Sequence, residues 1–100
     1  MERRHAPRFH LGSSIRIEWG TAQLECPAPS ISANGVFIEL RDPLWVGARF
    51  EATLEAGGTV RMDCLVRRVE PGRGMGVQYS VADPAGKKRV ASLLERLAGR

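Results

Sequence analysis

One hundred residues suit a single small domain, and a hydrophobic content of 43% supports a core of modest size. The net charge of +4 fits an anionic partner such as a nucleotide, a nucleic acid or a membrane surface, although ordinary solubility accounts for much of it. Two cysteines without metal-ligand spacing exclude a disulfide scaffold and a cysteine metal site, and no apolar run reaches transmembrane length. With no signal peptide ahead of the first basic residues, the expected location is cytoplasmic.

The chain opens on a basic arm, residues 1–12, with Arg3, Arg4 and Arg8 around Pro7 and no apolar periodicity. Alternation then sets in. Ile15, Ile17 and Trp19 against Arg16 and Glu18 predict a half-buried strand over Ser13–Trp19. Gly20 turns the chain into a second strand, Thr21–Pro27, with Leu24 and Cys26 on one face. Pro27 and Pro29 are expected to end it and to frame the turn Ser30–Gly35. Val36–Leu40 reads as a third strand, with Val36, Ile38 and Leu40 on one face and Phe37 and Glu39 on the other. Arg41–Ala48 is a loop whose Trp45 is expected to cover an open end of the core.

Arg49–Glu55 and Thr59–Val69 alternate cleanly about a Gly57-Gly58 hairpin turn. The first turns Phe50, Ala52 and Leu54 inward, and the second Val60, Met62, Cys64 and Val66. Pro71–Gly74 leads into a last strand, Met75–Ser80. The period then changes. Asp83-Pro84 is a helix start, with Asp as cap and Pro at the first helical position. Val90, Leu93, Leu94 and Leu97 make one apolar stripe of a helix over residues 84–98. The pattern therefore predicts an all-β fold, a small six-stranded antiparallel barrel over residues 13–80 with one C-terminal helix. Both cysteines fall on apolar positions and read as reduced core residues.

Two stretches carry chemistry. Arginine offers a planar fork of donors that fits phosphate and stacks on flat rings. Three such forks within six residues make either an anion clamp or a solvated terminus, and the arm alone leaves both open. In Ser30-Ile31-Ser32-Ala33-Asn34-Gly35, two hydroxyls precede a turn dipeptide, and Gly35 permits a positive φ or a close approach. By itself this is equally an ordinary loop before a strand.

Together the two resemble the PilZ domain family. Arg4-His5-Ala6-Pro7-Arg8 is similar to its RxxxR motif, preceded by a second arginine, Arg3. Ser30–Gly35 is similar to its [D/N]xSxxG motif, with Ser30 where the family has Asp or Asn. Val66-Arg67-Arg68-Val69 followed by Gly74-Met75-Gly76-Val77-Gln78-Tyr79 resembles its closing hairpin, which often ends in GxGVxF. The likeness implies a small β-barrel over the whole chain, 1–100, that binds cyclic di-GMP, either singly or, as the adjacent Arg3-Arg4 suggest, as an intercalated pair. It implies a site of Arg3, Arg4, Arg8, Ser30, Ser32, Asn34, Gly35 and Gly76. Arg4 and Arg8 would clamp phosphate and guanine edges, Arg3 would stack, Ser32 would hydrogen-bond the ligand, and Gly35 would let the backbone approach. His5 would contact the ligand or serve as a spacer. The arm would order on binding, and an effector protein would read the new surface of a monomer or weak homodimer.

No catalytic set, metal cluster or phosphate-binding P-loop can be argued from spacing, so neither enzyme nor cofactor is expected. Two other readings stand beside the receptor. A PilZ-like adaptor that binds only protein is favoured by Ser30 and opposed by the arginines. A nucleic-acid-binding barrel is opposed by six aromatics that fall mostly at inward or loop positions.

Overall fold

Alternating apolar residues need two faces, one buried and one wet, and six strands meet that need by closing on themselves. The computed structural model describes residues 7–99. Its strands are β1 Phe9–Trp19, β2 Ala22–Ile31, β3 Gly35–Glu39, β4 Arg49–Glu55, β5 Thr59–Glu70 and β6 Gly74–Ser80, followed by the helix α1 Pro84–Ala98. All pairings are antiparallel, and the barrel closes in the order β1-β2-β3-β6-β5-β4. The expected fold class is the observed one. Ile17, Ile38, Leu54, Met62, Val66 and Met75 fill the interior as fully buried side chains.

The cap of α1 is as its sequence implies, with Asp83 accepting a hydrogen bond from Gly86 N–H at 3.1 Å and Pro84 in the first turn. Val90 and Leu93 bury against the barrel, where the helix meets β1 and β5. Cys26 and Cys64 are free and buried. Burial pushes the Cys64 thiol up to about 12 and raises Cys26 as well, so both behave as apolar filler.

Four expectations need correction. First, β1 starts at Phe9, before Ser13, because Phe9 and His10 pair with Ile31 and Ser30 beyond an irregularity at Leu11-Gly12, where Gly12 takes φ +65°. Second, β2 runs through Pro27 and Pro29 to Ile31. Among the described residues β2 meets β3 only at Ser30 and Ile31, so its flank is open along the prolines. A proline nitrogen turned to an open flank leaves no ladder bond unmade, and Pro29 also lies opposite the β1 irregularity. Third, Trp45 does not cover the core. It is 61% exposed and meets Trp19 edge-on at 5.3 Å between centroids. Fourth, β2 begins at Ala22, one residue after Thr21; Leu24 and Cys26 share a face of it, and near the hairpin end Leu24 is 43% exposed.

Candidate functional site

The turn between β2 and β3 is held from within. Ser32 N–H donates to Gly35 O at 2.8 Å, and Gly35 N–H donates to Ser32 Oγ at 3.1 Å. From β6, Tyr79 donates its hydroxyl to Ser32 O at 2.6 Å and its amide to Asn34 O at 3.2 Å. Ser32 is only 2% exposed, so its hydroxyl is spent in the turn. Gly35 has no positive φ. A β-carbon there would meet Val77 O at 3.4 Å and Arg8 Nη1 at 3.5 Å, both ordinary contact distances, so the turn itself does not require glycine.

Burial pushes the Tyr79 phenol up to about 12, against the opposing pull of the Arg8 charge, so it remains a donor. Both Tyr79 and Cys64 are favoured in their neutral forms by the fold. Their contribution is complete below the ordinary values of 10.0 and 9.0 and is lost as pH rises to about 12. Chemical denaturation is therefore expected to show stability falling from pH 9 upward. Tyr79→Phe should flatten only the upper part of that fall, and an unchanged profile would remove Tyr79 from the account.

Arginines gather outside this turn. Arg8, just before β1, donates from Nη2 to Ser30 Oγ at 3.3 Å. On β5 the pairing with β6 slips between Val66 and Arg68, which makes Arg67 the extra residue of a β-bulge. The bulge puts two consecutive side chains, Arg67 and Arg68, in the same outer groove. Arg67 Nη1 donates to Gln78 Oε1 at 3.1 Å, and Arg68 Nη2 to Glu70 Oε2 at 3.0 Å. Glu70 also pairs with Arg73. The hydrogen bond from Arg68, with the charges of Arg68 and Arg73, lowers the Glu70 carboxyl below the usual range. Phe37 points away from the core yet is only 6% exposed, because the guanidiniums of Arg68 and Arg73 lie 5.9 and 5.3 Å from its ring centre.

Two adjoining hollows result. One, of about 390 Å³, is lined by Arg8, Asn34, Gly35, Arg67, Arg68, Gly76 and Gln78, among others. The other, of about 450 Å³, is lined by Arg8, His10, Ser30, Phe37, Arg68, Glu70 and Arg73, among others. Arg8 and Arg68 belong to both. Gly76 keeps room for Arg68, since a β-carbon there would lie 3.3 Å from its Nη1.

Of the residues singled out from sequence, Arg8, Ser30, Asn34, Gly35 and Gly76 come together on these hollows, and Ser32 sits behind them. Arg3, Arg4 and His5 lie outside the described residues. Arg67, Arg68, Arg73, Phe37 and Gln78 complete the site without having been singled out for it. Their signal is the pair Arg67-Arg68 inside an alternating strand, which marks a bulge. Among the described residues no group of three or more His, Cys, Asp or Glu could hold a metal ion, and no helix is long and apolar enough to cross a membrane.

No curated protein matches the sequence. Among solved structures, the Bacillus subtilis inhibitor of motility MotI/DgrA superposes with a TM-score of 0.80 at 17% identity, over 100% of this chain and 54% of that one. MrkH of K. pneumonia in its c-di-GMP complex gives 0.78 at 19% identity, over 98% and 52%. The PilZ domain of CeSA from a cellulose-synthesizing bacterium gives 0.63 at 11% identity, over 94% and 97%. At these identities the likeness is one of fold, and the chain spans about half the length of MotI and MrkH. The PilZ domain description matches residues 2–96, nearly the whole barrel and helix. The chain belongs to the PilZ domain family.

Proposed function

We propose that this chain is a receptor module for cyclic di-GMP. The observation that carries the reading is the pair of adjoining hollows sharing Arg8 and Arg68, floored by the β2–β3 turn. A ligand with two phosphates and two planar bases needs guanidiniums spaced over more than one pocket, since each fork satisfies one anion or one ring edge. The fold is shared with MrkH, whose structure was solved in complex with c-di-GMP, and this supports the same ligand.

In this reading Arg8 bridges phosphate and guanine, and Arg67 and Arg68 take the remaining anionic oxygens. Asn34, Gly35 and Gly76 let the ligand lie close to the backbone. Ser32 and Tyr79 act from behind by fixing the turn. Arg3 and Arg4 close over the ligand from the arm, and the ordered arm offers the surface that an effector protein reads. Two adjacent arginines at the start of the motif, Arg3-Arg4, favour an intercalated pair of ligands lying over both hollows together. Titration calorimetry with cyclic di-GMP tests the reading. Saturable binding near two ligands per chain is expected, and no binding returns the chain to the adaptor role.

Ser30 favours that second role in one respect. An aspartate accepts two charge-strengthened hydrogen bonds from a guanine N1–H and N2–H₂ edge, whereas serine covers part of it. Ser30→Asp is expected to tighten cyclic di-GMP binding by about 1–2 kcal/mol, the worth of an imperfectly paired donor. Arg8, already at Ser30, would offset the desolvation of the new carboxylate. Calorimetry of both forms decides: failure of both to bind supports the adaptor, and weaker binding by Ser30→Asp shows that the guanine edge does not face this residue.

A further inference from the structure

The second hollow contains a carboxylate where an anion receptor would be expected to have none. Glu70 stands at the end of β5, two residues from Arg68 and three from Arg73 across the β5–β6 turn. It contacts both guanidiniums at once, and both sit over the face of Phe37. Arg68 is also the residue, with Arg8, that faces both hollows. The carboxylate thus engages one of the two arginines that an anion reaching either hollow would meet.

We infer that Glu70 is a built-in anion that holds Arg68 and Arg73 together until an incoming anionic ligand displaces it. The arginine side chains are 62% and 68% exposed and Glu70 is 32% exposed. Ion pairs this open to water hold weakly and exchange partners readily. A phosphate group competes well for the same forks, because two of its oxygens can accept from one guanidinium while others remain for a second. Two consequences follow for the ligand-free protein. The arginines are kept ordered over Phe37 rather than spread into solvent, and weak anions are turned away because one negative charge already sits in the hollow.

The inference rests on the anionic-ligand part of the proposed function, and inorganic pyrophosphate separates the two. Pyrophosphate and cyclic di-GMP are titrated separately into the full chain and into Glu70→Gln at low ionic strength, with the Nε–H signals of Arg68 and Arg73 followed by NMR. Removing one negative charge several ångströms from the bound anion is expected to tighten pyrophosphate binding about threefold or more, with both arginine signals shifting at lower concentration. In an Arg68→Ala background the same Glu70→Gln change should gain less, since Glu70 has lost a partner to restrain. If cyclic di-GMP binds no form while pyrophosphate shows the gain, Glu70 is the competing anion and the nucleotide reading fails. Pyrophosphate binding that is absent from both forms, equal in both or weaker in Glu70→Gln overturns the inference. So does a gain undiminished by Arg68→Ala, which would make Glu70 a diffuse charge.

Discussion

Arg8→Ala is expected to weaken cyclic di-GMP binding at least about tenfold, the lower end of a charge-assisted contact worth about 1.5–3 kcal/mol. Arg8 lines both hollows, and among the described residues its side chain makes one hydrogen bond, to Ser30 at 3.3 Å. Its removal takes one cation from two subsites together. Arg96→Ala, on the exposed last turn of α1, is the control, since it also lowers the net charge by one but lies outside both hollows. Calorimetry at fixed salt measures the three proteins. Equal affinities would mean that net charge alone attracts the ligand and that there is no clamp at Arg8.

Gly74→Ala is expected to destabilise the fold by about 3 kcal/mol, at the upper end of overpacking effects. Gly74 opens β6 opposite Glu39 of β3, and an added β-carbon would lie 2.2 Å from the carbonyl oxygen of Ile38 and 3.0 Å from Glu39 Cα. Both are backbone atoms, so no rotamer change relieves the clash. The β3–β6 ladder must open at this end, and the same two strands supply Gly35 and Gly76 to the ligand groove. Gly76→Ala makes the contrast, because its new contact is the flexible end of Arg68 at 3.3 Å. That change should leave the midpoint of thermal unfolding nearly where it was. A Gly74→Ala protein that melts with the parent would show that the strands separate there without loss.

The barrel was legible because side chains alternate with a period of two, and Val60, Met62, Cys64 and Val66 obey that period without exception. The helix was legible from a change of period and a cap at Asp83. What the pattern hides is where the period slips. A bulge adds one residue to one strand only, so Arg67 and Arg68 share a groove although neighbours in a strand should face apart. Pro27 reads locally as a stop, yet whether a proline breaks a strand depends on which flank a neighbour occupies, a property of the closed barrel. Phe37 shows the same limit. Its position marks it as outward, but only the folded chain brings Arg73, from a different turn, over its ring. The hydroxyls of Ser30 and Ser32 look equivalent in sequence, and register separates them, one paired toward Arg8 and the other closed into the turn beneath Tyr79.

The open flank of β2 bears on how the protein behaves when crowded. Unpaired strand edges template the addition of strands from neighbouring molecules, and growth by that route ends in insoluble fibres. Here the exposed run carries Glu25 among its residues and is interrupted by Pro27 and Pro29, which cannot donate to an arriving strand. The two residues that look least suited to a β-strand therefore oppose strand addition along this flank, which has no strand partner beside the prolines among the described residues.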